Sequence, residues 1–121
     1  MEIEEAVSIL AALAQPTRLR AFQTLVEYEP DGIPAGELAR MLDVPQNTLS
    51  AHLSILSNAG VVTAERRSRS IIYRADLEAF PAVALFLLQE CCKGRPEICA
   101  PVIKSLSMCR PSAKEARRSK R

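Results

Sequence analysis

The stretch Gly36–Gly60, GELARMLDVPQNTLSAHLSILSNAG, predicts two short helices joined by a tight turn at residues 43–45. Each helix carries apolar residues at helical spacing on one face: Leu38, Ala39 and Leu42 on the first, then Leu49, Leu53 and Leu56 on the second. Two readings fit this pattern. One is a helix-turn-helix that binds DNA, and the other is an ordinary helical hairpin.

The outward face of the second helix carries short side chains that both donate and accept hydrogen bonds: Gln46, Asn47, Thr48, Ser50 and His52. No acidic residue stands among them. Base edges in the major groove present mixed donors and acceptors, which side chains of this kind can read. We therefore expect these five residues to contact DNA, with a neutral solvated face as the alternative.

Two strand-like segments follow at residues 61–65 and 70–74, and Arg66, Arg67 and Arg69 lie between them. A hairpin directly after a helix-turn-helix is typical of a wing that lies along the phosphate backbone. Arginine there supplies salt-dependent affinity without reading sequence. A solvated charged turn is the alternative. The second helix has no Lys or Arg, so the wing would supply much of the electrostatic attraction.

Composition fits one domain of 121 residues, with 48% hydrophobic content and a net charge of +2. Residues 110–121 carry a net charge of +5, which leaves −3 on residues 1–109. We predict a DNA-binding and dimerisation domain at 1–109, including a cysteine segment at 91–99, and a disordered basic tail at 110–121. The acidic N-terminus predicts no signal peptide, and the longest apolar run is too short for a membrane span, so a cytoplasmic protein is expected.

The predicted fold is mainly α, a winged helix-turn-helix with five helices and a two-stranded wing. The other helices are expected at residues 2–14, 16–28 and 76–91. In the last helix, residues 82–88 are apolar all round, and such a helix cannot face solvent on any side. We expect it to pair with a second copy of the chain, together with the first helix, and so to form a homodimer suited to a palindromic operator. A central buried helix in a monomer is the alternative.

Three cysteines cluster after this helix: Cys91, Cys92 and Cys99. Gly94 and Pro96 break the helix and let the chain double back. Three clustered soft donors select a thiophilic ion. Arsenic(III) or antimony(III) binds three thiolates without a fourth ligand, so we predict that this cluster binds either metalloid.

Other readings of the cysteines remain open. Zinc would need a fourth ligand, which Cys109 could supply, because the sole histidine, His52, lies on the DNA-reading helix. Vicinal thiols also suit a redox or persulfide switch, and cysteines can be inert. A thiol-based arsenic-handling enzyme is disfavoured because the chain has no Cys-x-x-Cys motif and no βαβ pattern.

Further residues carry a resemblance to a known family: residues 14–20 (AQPTRLR), 36–39 (GELA) and 60–62 (GVV), with Gln46, Thr48, Leu49, Ser50, His52, Leu53, Leu56 and Ala59. Over roughly residues 5–90 the chain resembles the ArsR/SmtB winged-helix metalloregulators. The resemblance implies a homodimeric repressor that leaves double-stranded operator DNA when it binds a metal or metalloid.

The chain departs from this family at several positions. Pro34-Ala35-Gly36 stands where the best-known arsenite site has Cys-x-Cys, and the last helix lacks the histidines of zinc-sensing members. The cysteines instead resemble those of arsenite repressors whose site follows the last helix. Pro45 replaces a common Ser cap, and Ser54 a common Lys.

Overall fold

The computed structural model describes residues 1–91, 93 and 95–106. Its elements, in chain order, are α1 Ile3–Leu13, α2 Pro16–Glu27, β1 Ile33–Pro34, α3 Ala35–Leu42, α4 Gln46–Ala59, β2 Val62–Arg67, β3 Ser70–Ala75, α5 Ala79–Phe86, a π-helical turn Leu87–Cys91 and α6 Pro96–Leu106. The chain divides into two compact units, and the boundary along the sequence lies between Ala84 and Leu85. The predicted mainly helical winged helix-turn-helix is confirmed.

The helix-turn-helix forms because its apolar stripes lie inward as predicted, except that Leu42 is half-exposed. Leu38 is fully buried on α3, and all three leucines of the α4 stripe are fully buried. Asp43, which caps the C-terminus of α3, and Gly60, which caps that of α4, both lie in the left-handed region. Glycine adopts that conformation at little steric cost, so Gly60 ends α4 and directs the chain into β2.

The sheet has one strand more than predicted. The strands lie in the order β1-β3-β2, with Ile33 opposite Tyr73 and Val62 opposite Ala75. Just before β1, Gly32 has φ +77°, and a Cβ there would lie 2.7 Å from the Tyr73 carbonyl oxygen. Gly32 therefore lets the chain pass close against β3.

An ion pair ties the turn after α2 to β3. Glu29 is buried, and Arg74 donates to both of its carboxylate oxygens, over 3.2 Å from Nε and 2.8 Å from the terminal nitrogen. This bidentate contact raises the pKa of the Arg74 guanidinium above its ordinary value. The turn is thereby fixed on the sheet that carries the wing.

The chain after β3 also differs from the prediction. The expected continuous last helix ends at Phe86 and continues as the π-helical turn Leu87–Cys91. Beyond it lies α6, a sixth helix where an irregular doubling-back was expected. Pro96 occupies the first position of α6, where its missing N–H costs nothing, so this proline starts a helix.

None of the helices in the part of the chain that the structure describes has the length and apolar character needed to cross a membrane. The predicted boundary between residues 109 and 110 lies outside the described residues and stays a prediction.

Candidate nucleic-acid interface and cysteine segment

The predicted DNA-reading residues lie on two different parts of α4. Asn47, Thr48 and Ser50 are exposed, and the Thr48 N–H donates to Asn47 Oδ1 over 3.0 Å. Gln46 is exposed too, but its carboxamide lies over the start of α3, since a Cβ on Gly36 would be 3.3 Å from Gln46 Oε1. The exposed polar face of α4 is thus present, with Gln46 at its edge.

His52 is placed differently from the other four residues. It is half-exposed, and its Nδ1 lies 3.3 Å from a terminal nitrogen of Arg18 at the start of α2. The Arg18 Nε also donates to the Ala12 carbonyl over 2.6 Å. Arg18 belongs to the 14–20 stretch that carries the family resemblance, but it is not a predicted site residue. Nothing in the sequence reveals its contact with a residue 34 positions away.

The wing is a tighter hairpin than predicted. Arg66 and Arg67 belong to β2, where Arg67 pairs with Ser70, so only Ser68 and Arg69 form the turn. Ser68 has φ 55°, in the left-handed region. Arg66 and Arg67 therefore project from β2 and Arg69 from the turn, instead of all three from a four-residue loop.

One wing arginine is partly neutralised. Arg67 Nε donates to Glu65, two residues earlier in β2 and so on the same face of the strand. This hydrogen bond, together with the charge of Arg67, holds the pKa of the Glu65 carboxyl below its ordinary value. Within the described residues Arg66 and Arg69 form no ion pair. They are the wing cations available to a phosphate.

A cleft of about 420 Å³ separates the wing from the helix-turn-helix. Gln46 and Ser50 line one wall, Arg69 lines the other, and Arg40 from the last turn of α3 joins them. Arg40 was missed by the sequence analysis, although a cation in the last turn of α3 follows directly from the helix assignment. The cleft lining therefore carries two arginines and one carboxylate, that of Glu37, a net positive charge beside the polar residues of α4.

The cysteine segment is described only in part. Cys99 lies in the first turns of α6, half-exposed, and its thiol lies 3.5 Å from the Leu88 carbonyl. Cys91 ends the π-helical turn, but its side chain, Cys92 and Cys109 lie outside the described residues. The residues that are described contain no group of three His, Cys, Asp or Glu side chains able to hold a metal ion. The three-cysteine site therefore remains a prediction.

The chain is similar in sequence to known helix-turn-helix regulators. A family model described as a helix-turn-helix domain matches residues 13–65. The uncharacterized HTH-type transcriptional regulator YbzH of Bacillus subtilis is 32% identical over 87 residues, which is 72% of this chain and 87% of YbzH. The HTH-type transcriptional repressor SmtB of Mycobacterium tuberculosis is 42% identical over 72 residues, 60% of this chain and 51% of SmtB.

Comparison with solved structures also finds transcriptional regulators. An ArsR-like transcriptional regulator from Rhodococcus sp. RHA1 matches with a TM-score of 0.66 and 28% identity, over 85% of this chain and 92% of that one. The chain belongs to the ArsR/SmtB family. Members of this family are DNA-binding transcriptional regulators and not enzymes, as predicted. This ArsR/SmtB chain spans only about half the length of several curated relatives that it matches.

Proposed function

We propose that this ArsR/SmtB chain is a homodimeric transcriptional repressor that releases its operator when As(III), or Sb(III), binds Cys91, Cys92 and Cys99. The observation that carries the DNA-binding part is the exposed polar face of α4 beside an arginine-bearing wing. The metalloid part rests on the donor chemistry of the three clustered thiols.

In the DNA complex, α4 enters the major groove. Asn47, Thr48 and Ser50 contact base edges or phosphates, with Gln46 beside them at the mouth of the wing cleft. Arg66 and Arg69 hold the phosphate backbone, where charge sets affinity without reading sequence. Arg67 contributes less because Glu65 already engages it.

An exposed apolar stripe on α1 supports the dimer. Ile3, Val7 and Leu10 recur at helical spacing and are 62%, 57% and 39% exposed. A neighbouring face of α1 is buried in the core through Ile9 and Leu13. A second copy can cover the stripe, and a two-fold pair would present its two α4 helices to half-sites about 34–36 Å apart.

The donors of the signal site suit a metalloid. The Cys99 thiol is half-exposed, so a ligand can reach it. It contacts the carbonyl oxygen of Leu88, which belongs to the π-helical turn that ends at Cys91. A ligand that joins Cys99 to Cys91 and Cys92 would tie α6 to that turn. In a reducing cytoplasm the thiols stay free to bind.

Release requires that the ligand favour the arrangement that cannot bind DNA, because only a difference in affinity shifts an equilibrium. Coupling between two sites is typically about 1–3 kcal/mol, whereas passing from mostly bound to mostly free takes about 5.5 kcal/mol. Two sites in each dimer can together supply most of that difference.

The test is a DNA mobility shift with a duplex that the purified protein has selected from a randomised pool. Arsenite, antimonite, zinc, cadmium, peroxide and polysulfide are titrated in parallel. We expect release by arsenite or antimonite, and loss of that response in Cys91→Ser, Cys92→Ser and Cys99→Ser, with Cys109→Ser as the matched control. Release by zinc or cadmium alone, or by oxidant alone, would replace the metalloid with that signal.

A further inference from the structure

The contact between Arg18 and His52 determines which nitrogen of the histidine ring carries the proton. Arg18 Nε donates to the Ala12 carbonyl near the C-terminus of α1, and a terminal nitrogen of the same guanidinium faces His52 Nδ1 at 3.3 Å. The Arg18 backbone N–H is held as well, because it donates to Gln15 Oε1 over 2.8 Å. Arg18 is therefore held both at its backbone N–H and at its guanidinium.

A guanidinium has only donors and no acceptor. The nitrogen of His52 that faces Arg18 must therefore accept, so Nδ1 is bare and the neutral ring carries its proton on Nε2. Arg18 thus favours the tautomer with a fixed donor at Nε2.

The position of His52 on α4 indicates what this donor meets. His52 lies one turn after the exposed Thr48, on the side of α4 adjoining α1 and α2. It therefore lies at the rim of the proposed DNA-reading face and away from its centre. The rim of an inserted helix meets the phosphate backbone, whose oxygens accept hydrogen bonds only. A permanent N–H donor suits such an oxygen.

We propose that Arg18 is a positioning residue that locks His52 in the Nε2–H tautomer, so that α4 presents a fixed hydrogen-bond donor to a DNA phosphate. The inference rests on the proposed DNA-binding function. Its first part concerns the free protein and can be measured without DNA.

The chain contains one histidine, so its ring gives a single set of signals. Long-range ¹H–¹⁵N spectra of the DNA-free protein at about pH 8, where a free imidazole is neutral, should show the proton on Nε2. In Arg18→Met, which keeps the length of the stem and removes the donors, we expect the proton to be shared between both nitrogens. A proton on Nδ1 in the unmodified protein overturns the proposal even if the variant does not fold, and so does a tautomer that Arg18→Met leaves unchanged.

The second part uses the selected duplex and an unrelated duplex of equal length. Because each dimer carries two copies of His52, His52→Leu should weaken binding to both duplexes by roughly a hundredfold or more, the loss of two hydrogen bonds to a charged group. His52→Gln, which keeps a donor, should recover part of the loss. Arg18→Met should cost less in the His52→Leu background than alone. Undiminished binding by His52→Leu, or fully additive losses, would overturn the proposal. A protein that binds neither duplex refutes the proposed function, while the tautomer measurement still stands.

Discussion

Truncation of Leu53 tests which face of α4 lies inward, and the assignment of the DNA-reading face depends on that orientation. Leu53 is fully buried, so Leu53→Ala removes packed atoms and leaves a cavity. Such substitutions cost about 2–5 kcal/mol. Domains of this size are stable by only about 5–15 kcal/mol, so the variant should lose a large share of its free energy of unfolding.

Ile55, two residues later on the same helix, is the matched control. Its side chain is 43% exposed, so Ile55→Ala removes contacts that are already partly hydrated. Alanine also has the higher helix propensity by a few tenths of a kcal/mol. We expect a net loss below about 1 kcal/mol, in the range of surface substitutions.

The assay is urea unfolding followed by circular dichroism at one fixed protein concentration, because dimerisation makes apparent stability concentration-dependent. With a slope of about 1–3 kcal/mol per molar urea, Leu53→Ala should lower the midpoint by about 1 M or more and Ile55→Ala by much less. Equal losses, or the larger loss at Ile55, would refute the orientation of α4.

Three further predictions follow from other contacts. Gly32→Ala should lower the urea midpoint more than Gly60→Ala, because both glycines have positive φ but only Gly32 would press a new Cβ against β3; equal effects would contradict this. The Glu65 carboxyl should titrate by NMR below the ordinary glutamate pKa and return towards it in Arg67→Gln. Because the pKa of Glu65 is lower in the folded protein than in the unfolded chain, this pair stabilises the fold above the ordinary carboxyl pKa. That stabilisation is lost as the pH falls through the lowered value. A Glu65 pKa that does not change in Arg67→Gln would rule the pairing out. Because each dimer loses two Arg66 side chains, Arg66→Gln should reduce the slope of log binding constant against log salt by roughly two, and Arg67→Gln by less, whereas equal reductions would show that the Glu65 pair does not hold Arg67 back from DNA.

The sequence predicts most of the helix-turn-helix because apolar residues that recur at helical spacing mark the face that the helix buries. Leu38 and Leu53 lie at positions whose period matches a buried helix face, and both are fully buried. The ion pair of Glu65 with Arg67 was also open to prediction, since residues two apart in a strand share a face. The predicted strand ends at Glu65, however, so Arg67 falls in the predicted loop and the two residues are not expected on one strand face.

Other features could not be predicted because they depend on distant parts of the chain. Glu29 is buried only because Arg74, 45 positions later, lies on the neighbouring strand, and Arg18 meets His52 only once α2 lies beside α4. Strand β1 has two residues, too few to show a period. Helix α6 is not predicted because Gly94 and Pro96 are expected to break the chain's helical path, although Pro96 in fact starts α6.

The central claim is that bound metalloid and bound DNA exclude each other on one dimer. Native mass spectrometry of the purified protein, mixed with its selected duplex and increasing arsenite, measures both at once. We predict a dimer with DNA and no arsenic at the start, and a dimer with two arsenic atoms and no DNA at the end. A dominant species that carries DNA and two arsenic atoms together would contradict the account.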